Sequence, residues 1–93
     1  MSVRILQRIR QSVRAQTLVA TPHAFAEMLQ DDLFQDDVEH CLLTGRLVER
    51  QWDEDWLEWK YVIAGQALTG ASLEVVVKLN ARQHVVVITT YRL

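Results

Sequence analysis

The hydrophobic period of this chain changes once, at Gly45, and no other feature constrains its fold as tightly. Up to that glycine, apolar residues recur every three or four positions, the spacing of one helix face. After it they alternate or gather in β-branched runs, the spacing of strands. A single switch of this kind predicts three helices followed by a meander of four antiparallel strands, an α+β fold of two layers with the N-terminal helices on one face of the sheet. Ninety-three residues hold one hydrophobic core and not two, so residues 1–93 are expected to form a single domain.

Residues 2–17 set Ile5, Ile9 and Val13 at four-residue spacing with Leu6 beside them, and arginines cover the remaining surface. A short extended piece, residues 18–20, leads to Thr21-Pro22, a threonine N-cap followed by proline at the first helical position. The second helix therefore begins at Pro22; it carries Phe25, Met28 and Leu29 at helical spacing and closes at Asp31-Asp32. In the third helix Asp36 and Asp37 fall in the first turn, where carboxylates favour the positive end of the dipole. Val38, Cys41 and Leu42 face inward, and Gly45 ends the helix. Residues 47–52 and 57–63 read as a hairpin around Asp53-Glu54-Asp55, and glycines 65 and 70 mark the next connection. Residues 73–79 and 85–91, rich in β-branched side chains on both faces, are expected to be the central strands, joined by a loop at residues 80–83.

Apolar residues make up 49% of the chain and charged ones 24%, the balance of a globular protein that folds without a cofactor. Its longest apolar runs, such as residues 85–88, fall far short of the roughly 20 residues a membrane-spanning helix needs, and no apolar signal core opens the sequence. A lone Cys41 cannot form an internal disulfide, and no CxxC or HxxxH pair stands ready for zinc. The expectation is a soluble protein of the reducing cytoplasm, with no metal. The net charge of -2 hides an uneven distribution. Residues 1–20 hold Arg4, Arg8, Arg10 and Arg14 and no acid, whereas residues 21–60 hold eleven acids against Arg46, Arg50 and Lys60. Blocks of this kind either steer charged partners or form ordinary solvated surface.

Thr21-Pro22-His23-Ala24 opens one helix, Met28 lies within it, Asp36-Asp37-Val38 opens the next, Gly45 and Glu49 follow, and Val87-Ile88-Thr89-Thr90-Tyr91 closes the chain. In order and spacing this set resembles a small prokaryotic family, domain of unknown function 4258, over roughly residues 18–92. That family looks like a branch of the RelE and BrnT toxin superfamily, and its members are often paired with a small zinc-finger antitoxin of the YgiT type. The resemblance implies a RelE-like domain in a two-gene toxin–antitoxin module. It further implies a metal-independent endoribonuclease acting on messenger RNA, free or on the ribosome, with a zinc-finger or DNA-binding antitoxin as partner. Two positions depart from the family pattern. Glu27 stands where relatives usually carry an arginine, and Glu74 where they favour a histidine; a carboxylate repels an RNA backbone.

Attack of a 2′-hydroxyl on the adjacent phosphate needs a base, an acid and cations around the phosphorane. His23 is the leading acid–base candidate, because histidine titrates near neutrality and the family motif contains it; the alternative is a histidine that packs or caps the helix start. Tyr91 would donate a proton or stack on a base, or else end its strand half-buried. Lys60, Lys78 and Arg92 would contact phosphate if they share the sheet face opposite the helices, with Arg50 and Arg82 at the rim or merely solubilising. His84 is read as structural. His40 and Cys41, neighbours on a helix, point about 100 degrees apart and make a poor nucleophile–base pair. Trp52, Trp56 and Trp59 crowd into eight residues. At least two are expected to pin the hairpin or fill the core. An exposed remainder would serve a protein interface, because Asp53, Glu54, Asp55 and Glu58 repel RNA there. Edge strands in so small a sheet also leave room for a homodimer. Two functions follow: an endoribonuclease, or a non-catalytic interaction module on the same fold. A cationic face beside His23 favours the first and an acidic or apolar face the second.

Overall fold

A computed structural model describes residues 3–93 of the chain. Its elements are α1 (Val3–Arg14), β1 (Val19–Ala20), α2 (Pro22–Gln30), α3 (Gln35–Thr44), β2 (Arg46–Asp53), β3 (Glu58–Gln66), β4 (Ser72–Leu79) and β5 (Val85–Arg92). The α+β organisation matches the sequence pattern, with one correction to the sheet. It has five strands in the order β1-β5-β4-β3-β2 and is mixed, not four-stranded and antiparallel. Residues 18–20, expected only as a connector, supply β1, which runs parallel to β5 through Val19–Val86 and Ala20–Val87. Two residues are too short to announce a strand by alternation, so periodicity had no purchase there.

Of the expected first helix, Ser2 lies outside the described residues. The helix stops at Arg14 because Gln16 adopts a left-handed φ of 60° and the Thr17 amide returns to the Ser12 carbonyl at 3.1 Å. Ile9 and Val13 are buried, with Ile5 and Leu6 packed against the same core. Thr21 caps α2 by accepting from the Ala24 amide at 3.1 Å, ahead of Pro22. Ala24 and Met28 turn inward, but Phe25 and Leu29, expected on the same stripe, are 55% and 64% exposed. The cause is position: α2 packs on β5 and β1, at the rim of the sheet, so only a narrow line of it meets the core. In α3, Val38, Cys41 and Leu42 are buried, and removing an aliphatic side chain such as Val38 or Leu42 from water contributes about 1.5–3 kcal/mol. Buried Asp37 accepts from the Phe34 amide at 2.9 Å and from the Leu68 amide at 3.0 Å, tying the start of α3 to the β3–β4 connection.

Cross-strand partners share a face, which fixes the two sides of the sheet. Ile63, Leu73, Val75, Val77, Val85 and Val87 face the helices and form the core. Val62 and Val76, paired with each other, lie on the side without helices and are still only 5% and 4% exposed. One bulge on β2 falls between Leu47 and Glu49; a second on β5 inserts Ile88 opposite the Val76–Val77 step. Leu57, expected within the second strand, is instead a turn residue with φ of 52° and 73% exposure. Gly65, expected in a connection, lies inside β3 under the end of α3.

Candidate functional site

The open sheet face is assembled by strand alternation. Lys60 on β3 stands opposite Gln51, Lys78 on β4 opposite Val86, and Glu74 on β4 opposite both Ala64 and Tyr91. Lys60 and Lys78 therefore do share the helix-free side, as the sequence suggested. Neither is left available. The Lys60 ammonium lies 2.8 Å from an Asp53 oxygen, and the Lys78 ammonium 3.1 Å from a Glu58 oxygen. Arg92 pairs with core-facing Leu73 and so leans to the helix side, where its guanidinium donates to the Asp31 carbonyl at 3.4 Å. Arg50 also points to the helix side, paired with Tyr61, and its guanidinium carbon sits 4.6 Å above the centre of the Trp59 ring. Arg46 adds a cation to the open face, but Glu49, Asp53, Glu58 and Glu74 outnumber the three cations there.

A hydrogen bond from Lys60 holds the Asp53 carboxyl below the usual aspartate range, helped by the Trp56 amide, which donates to it at 3.2 Å. The sign follows directly. A carboxyl depressed in the folded state stabilises the fold above its unfolded value, and that contribution disappears as acid titrates it through the folded value. Acidification below about pH 4 is therefore expected to loosen the β2–β3 hairpin first. Tryptophan emission followed against pH should show an acid-side transition that Asp53→Asn abolishes. An unchanged transition in that variant would remove the ion pair from the account.

His23, on the first turn of α2, is exposed, with Nε2 3.4 Å from Glu27 Oε1. The same Glu27 oxygen accepts from the Thr90 amide at 3.0 Å and from the Thr89 hydroxyl. Sequence reasoning treated Glu27 only as a lost cation and missed this role, for which a partner 63 residues away gives no local signal. Because β1 covers β5 only at Val86 and Val87, the Thr90 amide stands beyond it on an unpaired edge, and Glu27 satisfies it. Thr21 completes the same edge: its amide donates to Val87 O at 3.0 Å and its hydroxyl to Ile88 O at 3.3 Å. Tyr91, 40% exposed, stands two residues beyond Thr89 on the same face. His23, Glu27 and Tyr91 thus gather along one rim. Lys78 lies four residues from Glu74, the partner of Tyr91, and is about 13 Å away along the strand. The proton-handling candidates and the lysines are not brought into one site.

The tryptophans divide as the sequence allowed. Trp52 and Trp59 are a cross-strand pair, ring centres 5.1 Å apart and edge to face, an arrangement that contributes about 0.5–1.5 kcal/mol beyond its buried area. Trp56, at the turn, is 76% exposed. With Leu57 beside it and the half-exposed Trp52 and Trp59 below, it crowns an apolar projection ringed by Glu54, Asp55 and Glu58. Asp53 Oδ1 holds the turn by accepting from the Asp55 and Trp56 amides at 3.0 and 3.2 Å.

Cys41 is fully buried, and burial pushes its thiol up to about 11, so it is no nucleophile. Among the described residues no group of three or more metal-ligating side chains converges, and no helix is long and apolar enough to cross a membrane. No curated protein and no solved structure matches the sequence. A family model does, the domain of unknown function DUF4258, over residues 20–92, from the last residue of β1 to the last residue of β5. The Thr-Pro-His-Ala helix start, the Asp-Asp-Val start of α3 and the Thr-Thr-Tyr strand end all fall inside that match, and the chain belongs to the DUF4258 family.

Proposed function

We propose that this protein is a non-catalytic protein-interaction module, the folded half of a two-gene toxin–antitoxin pair, working in the cytoplasm and holding a basic partner at its tryptophan hairpin. One observation carries the proposal: Trp56 and Leu57 are 76% and 73% exposed at a turn held by Asp53 and flanked by Glu54, Asp55 and Glu58, with the nearest cations, Lys60 and Arg50, already engaged by Asp53 and Trp59. Exposed tryptophan at the centre of an apolar patch is a usual anchor of protein interfaces, and an acidic rim selects a basic partner segment while repelling nucleic acid. The resemblance to RelE- and BrnT-type toxins supports an antitoxin, zinc-finger or DNA-binding, as that partner. The neutralised open face supports the same choice, since both of its lysines are paired with carboxylates.

The test is co-expression with the product of the adjacent gene, followed by affinity measurement on the purified pair. Trp56 makes no core contact, so Trp56→Ala should fold normally and weaken the complex by about 2 kcal/mol, roughly thirtyfold in Kd. Equal affinity for the variant and the wild type would exclude the hairpin as the docking site.

A second reading, the metal-independent endoribonuclease, is favoured by one arrangement: exposed His23 in contact range of Glu27, with Tyr91 on the same rim. There His23 and Tyr91 would exchange protons with the ribose and the leaving oxygen, and Lys60, Lys78, Arg50 and Arg92 would have to leave their present partners to reach phosphate. Induced expression decides it. Growth arrest with messenger RNA loss, relieved by His23→Ala, would establish cleavage; intact growth and intact RNA would rule it out.

A further inference from the structure

One cleft of the molecule lies on neither of these surfaces. It encloses about 380 Å³ between the C-terminal half of α1 and the β4–β5 turn. Arg8 and Gln11 form one wall, Arg82, Gln83 and His84 the other, and no carboxylate lines it. The charge there follows from the sequence: there is no acid between residues 1 and 26 and none after Glu74, and these two segments supply both walls. A chain of net charge -2 thus carries a cleft with two arginines and no acid in its walls.

The cleft is also built rigidly. Buried Ser12 at its base accepts from the Val85 amide at 2.9 Å and shares a 2.6 Å hydrogen bond with the Thr17 hydroxyl, joining the end of α1 to the start of β5. Asn80 Oδ1 accepts from the Arg82 and His84 amides at 2.9 and 3.0 Å, and Gln83 adopts a left-handed φ of 63°. These bonds hold Arg82 and His84 against α1. Several other cations are engaged: Lys60 and Lys78 by carboxylates, Arg50 by Trp59, and Arg10 by the Leu42 and Gly45 carbonyls. The guanidinium groups of Arg8 and Arg82 have no hydrogen-bond or ion-pair partner among the described residues, and Arg4 continues the stripe one helical turn away, about 6 Å along α1.

We propose that this cleft binds linked phosphate groups, with Arg8 and Arg82 each taking one, in a ligand that is either a nucleoside diphosphate or the backbone of a single nucleic-acid strand. Two guanidinium groups on opposite walls suit adjacent phosphates, because each fork accepts a separate oxyanion. The Arg4 extension suits a strand longer than one nucleotide. The site is independent of the tryptophan hairpin. It is also separate from the matched family segment on one side, since α1 precedes residue 20.

The experiment titrates the full chain at low salt with ADP in one arm and a twelve-residue oligouridylate in the other. Binding to ADP as well as to the oligomer identifies a free nucleotide site, and binding to the oligomer alone identifies a strand site. In either arm the double variant Arg8→Ala/Arg82→Ala should lose more than about tenfold in affinity, and for the oligomer the slope of log K against log salt should flatten by about one per arginine removed. Arg46→Ala, an exposed charge removed from the open face, controls for overall electrostatics and should change little. The proposal is overturned if neither probe binds, if the double variant binds like the wild type, or if Arg46→Ala weakens binding equally. All three arginines are exposed, and circular dichroism verifies that the variants fold. None of these outcomes bears on Trp56 or its partner.

Discussion

Gly45→Ala is expected to lower the stability of this protein by about 2–3 kcal/mol, one of the largest effects of any single methyl group in the chain. The reason is local. A Cβ at position 45 would lie 2.5 Å from the Ala64 carbonyl oxygen and 2.6 Å from the Cys41 carbonyl oxygen, both backbone atoms that cannot swing aside. Gly45 has an ordinary negative φ, so the glycine is required by close approach and not by conformation. It is where the end of α3 turns into β2 while lying against β3, and the Arg10 guanidinium, on its carbonyl at 2.7 Å, holds α1 to the same point. A clash there disturbs three elements at once. Thermal unfolding followed by circular dichroism should show a drop of more than about 10 °C for a domain of this size. Gly70→Ala is the contrast: nothing lies within 4 Å of its added Cβ, but its φ of 92° makes the substitution cost about 1 kcal/mol in backbone strain. A Gly45→Ala protein as stable as the wild type would mean that α3 and β3 do not pack as described.

Glu27→Ala should cost about 1–3 kcal/mol, because it strands the Thr90 amide on the edge of β5 without an acceptor and releases the Thr89 hydroxyl. Glu27→Gln keeps an oxygen at the same place and should cost markedly less. Glu27→Arg removes the acceptor and should resemble the alanine variant. Urea unfolding gives the three free energies, and hydrogen exchange at Thr90 reports the edge itself: faster in Ala and Arg, close to wild type in Gln. If the Thr90 amide exchanges at the same rate in all four proteins, Glu27 is not what closes this edge. Together with the Thr21 bonds, this carboxylate explains how a two-residue strand suffices to end the sheet on that side.

The fold was legible in the sequence wherever a pattern ran for two turns or more. The stripe of Ile5, Ile9 and Val13, the Thr21-Pro22 helix start and the inward line of Val38, Cys41 and Leu42 are all as the spacing predicted. What escaped was short or distant. β1 is two residues long and owes its existence to β5, 67 residues away by the Thr21–Ile88 bond, so no local period reveals it. Gly65 looks like a turn signal but serves a close crossing with Cys41 and Gly45. At the candidate site, the sequence left open whether Lys60, Lys78 and Arg92 share a face; the strand register puts the two lysines together, and the Ile88 bulge leaves Arg92 on the other side. Their neutralisation by Asp53 and Glu58 depends on which residues end up opposite one another across β2, β3 and β4, a tertiary fact. The cleft between Arg8 and Arg82 joins residues 74 positions apart and was invisible for the same reason.

On the proposed function, this protein acts through the tryptophan hairpin and not through the open face of its sheet. Titrating the isotope-labelled chain with the product of the adjacent gene, and following amide and indole resonances, tests it most directly. The indole signals of Trp52, Trp56 and Trp59 and the amides of residues 53–58 are expected to shift, with His23 and Tyr91, at the far rim of the sheet, unmoved. Shifts confined to His23 and Tyr91, with the indoles still, would contradict it.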